Sequence, residues 1–444
     1  MVVELWTDDG SHNIYTFMHM LRKTPITNHA QDGRHIRELR LVGGGRMVPN
    51  CSVQLSPWHL RCIVERCPNL RTLVLSGVLL IGPGFSSIPD IRPKLDLLKL
   101  EECEVYKKGG AKHLHYLLSL FASIDTLNLD VSWVTFWGDP APLPTSKKVA
   151  RTIKHMALPD SNVPINSVTI RNIPLDWAIA LGNYLERTGE WLGESSLEEI
   201  TIWPQAEIVR GLLPWPKGEE HLVNMGQFIS AARVGSEIKV LRINTMDYPT
   251  MQWLDFGKNS EFDLTPPGTH VHHNRSLAEP GSVEEAYLPP RSVNMLQLDR
   301  CQGVRSLLFS FESELRGSTD TKFDLAFQAA LDIVTYVHFP QLERIFFHID
   351  PNCKSESDGQ LTDPRWEDMD ELLADNKFDA LRSVVVVHSG EVDETLFQQL
   401  LPTMHKKGKV EYWLTNIPWW DLELEDDDED ESETASNASS ITLV

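Results

Sequence analysis

The sequence predicts an α/β solenoid: a curved parallel sheet with outer helices, wound from about ten to eleven irregular repeats. Three observations carry that expectation. An apolar triplet at positions i, i+3 and i+5 recurs along most of the chain. Segments of helical periodicity separate successive triplets. Hydrophobic residues make up 41% of the sequence against 23% charged, enough to fill a long core.

The triplets are Ile36, Leu39 and Leu41; Leu70, Leu73 and Leu75; Leu95, Leu98 and Leu100; and Ile124, Leu127 and Leu129. They continue with Ile165, Val168 and Ile170; Leu197, Ile200 and Ile202; and Ile238, Leu241 and Ile243. After a gap come Val304, Leu307 and Phe309; Leu342, Ile345 and Phe347; and Leu381, Val384 and Val386. A weaker eleventh copy, "VEYWLTN" from Val410, has its middle anchor at Trp413. Each triplet holds an alternating pair, the mark of a short strand with one buried face. One such strand is unstable alone, whereas stacked copies share a continuous core.

The helical patterns fall at 56–67, 111–121, 175–192, 220–234, 323–337, 366–378 and 392–404. Ser56 and Pro57 suit the cap and first turn of the first of these. Strand, helix and parallel strand in alternation make one turn of an α/β solenoid. Residues 1–34 read as an N-terminal helical cap, with "IYTFMHMLRKTP" forming one helix at most. Residues 35–246 hold the first run of repeats, and 301–420 hold the second run with a C-terminal cap. Between them, 247–300 is rich in Pro, Gly, Ser and His and reads as a mobile inserted loop. Val293, Leu296 and Leu298 within it are a candidate degenerate repeat. Trp413, Trp419 and Trp420 offer apolar rings to close the open end of the stack, or with the carboxylates that follow a docking segment for a partner. Residues 421–444 read as an acidic disordered tail.

The repeat segments "HIRELRLVG", "CPNLRTLVLSGV", "PKLDLLKLEECEV" and "LLSLFASIDTLNLDVSW" resemble the leucine-rich-repeat region of the large fungal group of F-box-associated proteins. The resemblance is best over 35–133 and continues in register to about 416. It implies a leucine-rich-repeat solenoid and a substrate-receptor role in a ubiquitin ligase. An F-box, which docks on the ligase adaptor, is not found in this sequence: 35 residues precede the first triplet, with no Leu-Pro-x-Glu-like start. The adaptor is therefore a partner only if an F-box lies upstream. Otherwise the chain is an F-box-less scaffold or regulator, binding through its concave face or its acidic tail.

No constellation for catalysis stands out, so no enzyme activity and no cofactor are expected; an enzyme remains the minor alternative. His270, His272 and His273 are the one tight histidine cluster, and they lie in the inserted loop without a fixed fourth ligand. His113 and His115 flank Leu114 on a helix and point different ways. "HIDPN" from His348 lacks a nucleophile nearby in sequence, and "VGGGRM" from Val42 lacks a phosphate-loop signature. The six cysteines form no C-x-x-C pair, which favours reduced thiols in the cytoplasm or nucleus. The net charge of −22 argues against nucleic acid and anionic membranes as partners. Ten carboxylates between Asp421 and Glu433 account for part of it, leaving −22 + 10 = −12 for the rest.

In such a solenoid the residues between the buried anchors face the concave surface. The candidate partner-binding residues there are Arg40, Lys99, Asn128, Asp130, Arg171, Trp203, Arg242, Asn244, Arg344, Phe346 and His348. Polar groups, cations and a few large apolar anchors together suit a protein or peptide ligand. A monomer is expected.

Overall fold

The computed structural model describes residues 2–6, 16–17, 35–43, 53–81, 89, 91–105, 110–133, 163–192, 197–202, 217–231, 238–245, 296–311, 321–349, 363–388, 399–414, 422 and 442–443. Its strands are β1 (Val2–Trp6), β2 (Glu38–Val42), β3 (Val53–Leu55), β4 (Thr72–Ser76), β5 (Val78–Leu80), β6 (Lys94–Val105), β7 (Ser123–Trp133) and β8 (Ile165–Asn172). They continue with β9 (Glu199–Ile202), β10 (Val240–Asn244), β11 (Ser306–Ser310), β12 (Arg344–Ile349), β13 (Ser383–His388), β14 (Val410–Leu414) and β15 (Thr442–Leu443). The helices are α1 (Pro57–Arg66), α2 (Gly110–Ser119), α3 (Leu175–Leu192), α4 (Lys217–Ala231), α5 (Thr321–Tyr336), α6 (Arg365–Leu373) and α7 (Pro402–Lys406).

All the strands join one open, curved, mostly parallel sheet. Its main path runs from β1 through β2, β4 and β6 to β15 in chain order, with β3 and β5 pairing at the side. The ten middle anchors form one register row. Leu39 lies opposite Leu73, Leu73 opposite Leu98, Leu98 opposite Leu127, and Leu127 opposite Val168. The row continues through Ile200, Leu241, Leu307 and Ile345 to Val384. Each of these residues is fully buried. They pack with helix residues such as Leu114, Trp177, Phe228, Phe327 and Trp366 in one extended core. The helices therefore cover one face of the sheet, and the other face carries no described helix.

Neighbouring turns are tied together by polar contacts as well as by the core. The Asp370 carboxylate of α6 accepts from the backbone N–H groups of Thr403 and Met404 at 2.7 and 2.9 Å, capping α7. Lys377 Nζ donates to the carbonyls of Val334 and Thr335 at the end of α5, both at 2.7 Å. Asn224 of α4 donates to the Ile173 carbonyl at 3.0 Å. Gly43 sits against the carbonyl of Gly77, 2.1 Å from where a Cβ would stand, so no side chain fits there.

Several expectations need correction. Residues 1–34 add a strand not expected from the sequence: β1 extends the sheet, with Val3 opposite Leu39 and Leu5 opposite Leu41, while 16–17, within the segment expected to form one helix, are helical and Phe17 is buried. No strand intervenes between β10 and β11, which pair directly. Of the candidate degenerate repeat, Leu298 instead opens a single 3-10 turn to Arg300, and Leu296 and Leu298 are buried in the core. The anchor of the last copy is Val410 and not Trp413, because Val410 is the residue opposite Val384. Inside the stretch read as a disordered tail, Leu422 is buried and Thr442–Leu443 pair antiparallel with β14. Trp419, Trp420 and the rest of the inserted loop lie outside the described residues. No helix among the described residues is long and apolar enough to cross a membrane.

Candidate functional site

On the face opposite the helices, the residues between the anchors form their own register rows. The central row runs Arg40, Val74, Lys99, Asn128, Thr169, Thr201, Arg242, Leu308, Phe346, Val385 and Glu411. Its chemistry changes at β10. Before that strand the row is polar and charged apart from Val74, and after it three apolar residues follow in succession.

The polar half holds a trough of about 630 Å³ over β6 to β9, floored by Lys99, Asn128, Thr169 and Thr201 and edged by Glu101, Arg171 and Glu199. Lys99 Nζ lies 3.1 Å from Glu101 Oε1. At that exposure the pair is worth little and is readily exchanged for a ligand's charge. Asn128 Oδ1 is shielded from solvent and has no hydrogen-bond partner.

Below the trough, β6 carries a bulge. Glu102 has φ +49 and the register with β7 shifts between Leu100 and Cys103. Asp130 is almost fully buried, and its Oδ2 accepts from the Glu102 N–H at 3.2 Å, which helps to hold the bulge.

The second half differs in being covered. Leu308, Phe346, Val385 and Val387 are completely buried, although they point away from the helices. Leu422 packs among them, with Trp413 and Val240 at the margin. The rings of Phe346 and Trp413 meet edge to face at 5.7 Å. Arg344 lies with its guanidinium 5.9 Å over the Phe346 ring. Arg242 is buried at the boundary between the halves. Its Nη2 donates to the Leu422 carbonyl at 2.8 Å, and its Nε stands 2.8 Å from Glu199 Oε1, an ion pair set outside hydrogen-bond angles.

The eleven candidate residues thus separate into groups. Lys99, Asn128 and Arg171 come together in the trough, and Arg40 stands apart on β2, paired with Glu38 at 2.6 Å. Arg242 and Phe346 meet at Leu422, and Arg344 lies over the Phe346 ring. Asp130, though buried, also lines the trough, and Asn244 and His348 are buried towards the ends of β10 and β12. Trp203 lies outside the described residues. Burial and the nearby His388 push the His348 imidazole down to about 4. The covering residue Leu422 had no sequence signal of its own. The floor did have one: "SLLFS", "RIFFHI" and "SVVVVH" are nearly continuous apolar runs, which strands buried on both faces require.

Other chemistry is not assembled. Burial pushes the thiols of Cys67, Cys103 and Cys301 up to about 12, far from an activated nucleophile. No group of three or more His, Cys, Asp or Glu that could hold a metal occurs among the described residues. His270, His272 and His273 fall outside them. No protein-family model matches the chain, and no curated protein sequence matches it.

Proposed function

We propose that the chain is a leucine-rich-repeat solenoid that binds a protein or peptide partner along the face opposite its helices. By the resemblance of its repeats it is a substrate receptor of the ubiquitin-ligase type, or a scaffold if it works without an F-box. The observation that carries the reading is the trough over β6 to β9, where Lys99, Asn128 and Arg171 line an open polar floor on a rigid sheet. Mixed charge there suits a polar protein surface or an extended segment that brings carboxylates for the two cations. Burial of the anchors on the other side of the same strands keeps these groups at fixed spacing, which lowers the cost of ordering them on binding.

Affinity purification of the full chain from its native cells tests the reading, run beside Lys99→Glu and Arg171→Glu variants. A partner retained by the wild type and lost from both variants is the expected result. Recovery of the ligase adaptor and cullin with it would assign the receptor role, and their absence the scaffold role. Partners unchanged by either charge reversal would remove the trough from the site.

A further inference from the structure

We propose that the second half of the open face, floored by Leu308, Phe346, Val385 and Val387, is a binding site for an extended acidic peptide with a leucine anchor, and that the chain fills it with its own segment at Leu422. This deepens the reading above, since it concerns the same face, but it rests on a different set of strands.

The floor is the first argument. Four apolar side chains from β11, β12 and β13 point to the face that carries no described helix, and all four are fully buried. Leu422 is the residue seated among them. Its burial there is nearly complete, at 3% exposure. An apolar anchor in such a pocket is the usual core of a peptide site.

The second argument is the way the segment is held. Arg242 Nη2 recognises the main-chain carbonyl of Leu422, not a side chain. Main-chain hydrogen bonding combined with a side-chain pocket is how sheets and grooves take extended peptides. The Arg242 side chain is itself only 6% exposed, so its charge is fixed in place between Glu199 and this carbonyl. Asp421 and Glu423 flank Leu422 in the sequence, and the carboxylates continue to Glu433. Among the described residues Arg242, paired with Glu199, and Arg344 bring positive charge to this half of the face, which suits that acidic context.

The third argument is reach. From β14 back to β10 is four strand spacings, about 19 Å. The eight residues from Leu414 to Leu422 span up to about 26 Å when extended. The connection is thus long enough to bring Leu422 to Arg242, and such a short tether raises the local concentration of the segment to about millimolar. A ligand with an intrinsic Kd near 100 μM would then be about tenfold harder to bind in trans to the intact chain.

The test uses a fluorescein-labelled synthetic peptide with the sequence of residues 415–430, titrated with full-length protein and read by fluorescence anisotropy. The Leu422→Asp chain should bind it about tenfold more tightly than the wild type. Leu422→Ala, which adds no charge, should bind it about threefold more tightly. A peptide with Asp in place of the anchoring leucine should bind neither variant. Equal affinity for all three chains, or no binding by either variant, overturns the proposal. Loss of cooperative unfolding in both variants also overturns it, because Leu422 would then be part of the core and not a ligand. The Lys99 and Arg171 trough plays no part in this measurement. Peptide binding without any captured partner would leave this site standing and remove the proposed function, and the reverse result would do the opposite.

Discussion

Arg242 Nη2 and the carbonyl oxygen of Leu422 meet at 2.8 Å, joining residues 180 positions apart in the chain. The contact links the middle of the sheet to the end of the chain across β11 to β13. It also gives a buried guanidinium a hydrogen-bond acceptor, beside the Glu199 carboxylate at 2.8 Å. A buried cation is costly to leave without such partners.

Arg242→Met and Leu422→Ala should therefore be coupled. Each single change should cost about 1–3 kcal/mol, from a lost charge-assisted hydrogen bond in one case and lost apolar burial in the other. The double variant should cost about 1 kcal/mol less than their sum, as contacting residues do. Urea denaturation of the four proteins measures this, and additivity within about 0.3 kcal/mol would show that the two residues act apart.

Leu73 stands in the anchor row with Leu39 on one side and Leu98 on the other, and it is fully buried. Leu73→Ala should cost about 2–5 kcal/mol, because the neighbouring strands cannot collapse into the gap. Arg40, one residue along on the exposed face, gives the contrast. Arg40→Ala should change stability by less than about 0.5 kcal/mol. Similar costs at both positions would contradict the assignment of faces.

Acid should weaken the fold between pH 6.5 and about 4. His115 and His348 are both pushed from 6.5 to about 4, the first by burial and Arg187, the second by burial and His388. Both nitrogens of His115 are shielded from solvent without a hydrogen-bond partner, and its ring lies 5.7 Å from that of Tyr184. Above pH 6.5 neither the folded nor the unfolded state binds these protons. Below it the unfolded chain takes them up first, so stability falls with pH until the folded sites titrate near 4. The loss at pH 5 is roughly 2 kcal/mol for each residue. Thermal melts at pH 7.5 and 5.0 should show the drop, and His115→Gln should remove its share of it. A melting temperature that is flat over this range would count against buried neutral imidazoles.

The anchor row was legible because its signal is local: two or three apolar residues at fixed spacing decide which face of a strand is buried. β1 escaped because "VVELW" has the alternating pair but lies too near Met1 for a leading anchor. The last copy is misplaced by taking Trp413, the largest apolar residue of "VEYWL", as its anchor: Trp413 alternates with Glu411, whereas Val410 and Tyr412 share the anchor face, and an odd shift of register moves every side chain to the other face. That is why Trp413 lies on the open face beside Phe346 and does not close the core. Arg40, Lys99, Asn128, Arg242 and Phe346 do share one register row, yet sequence could not tell the open trough from the covered half. Covering depends on a contact between Arg242 and Leu422 that no local pattern encodes. Asp130 shows the same limit, since its role follows from a bulge on the neighbouring strand.

The last prediction concerns how the final turns are fastened. α7 has five residues, too few to be stable by propensity alone. Its first N–H groups have no partner within the helix, and no side chain of its own caps them. Asp370, from α6 of the preceding turn and only 2% exposed, accepts from Thr403 and Met404 instead. A carboxylate at a helix start is favoured by charge as well as by geometry. Asp370→Ala should therefore cost about 1–3 kcal/mol, through the buried Met404 N–H left without its acceptor and the loss of the half-buried contact at Thr403. Asp370→Asn, which keeps one acceptor, should recover about half of that. Amide exchange at Thr403 and Met404 should quicken in the alanine variant, while exchange in β4 and β6 stays as in the wild type. If the alanine change costs less than about 0.5 kcal/mol, or if the quickening spreads evenly over the sheet, the carboxylate is not the fastening between these turns.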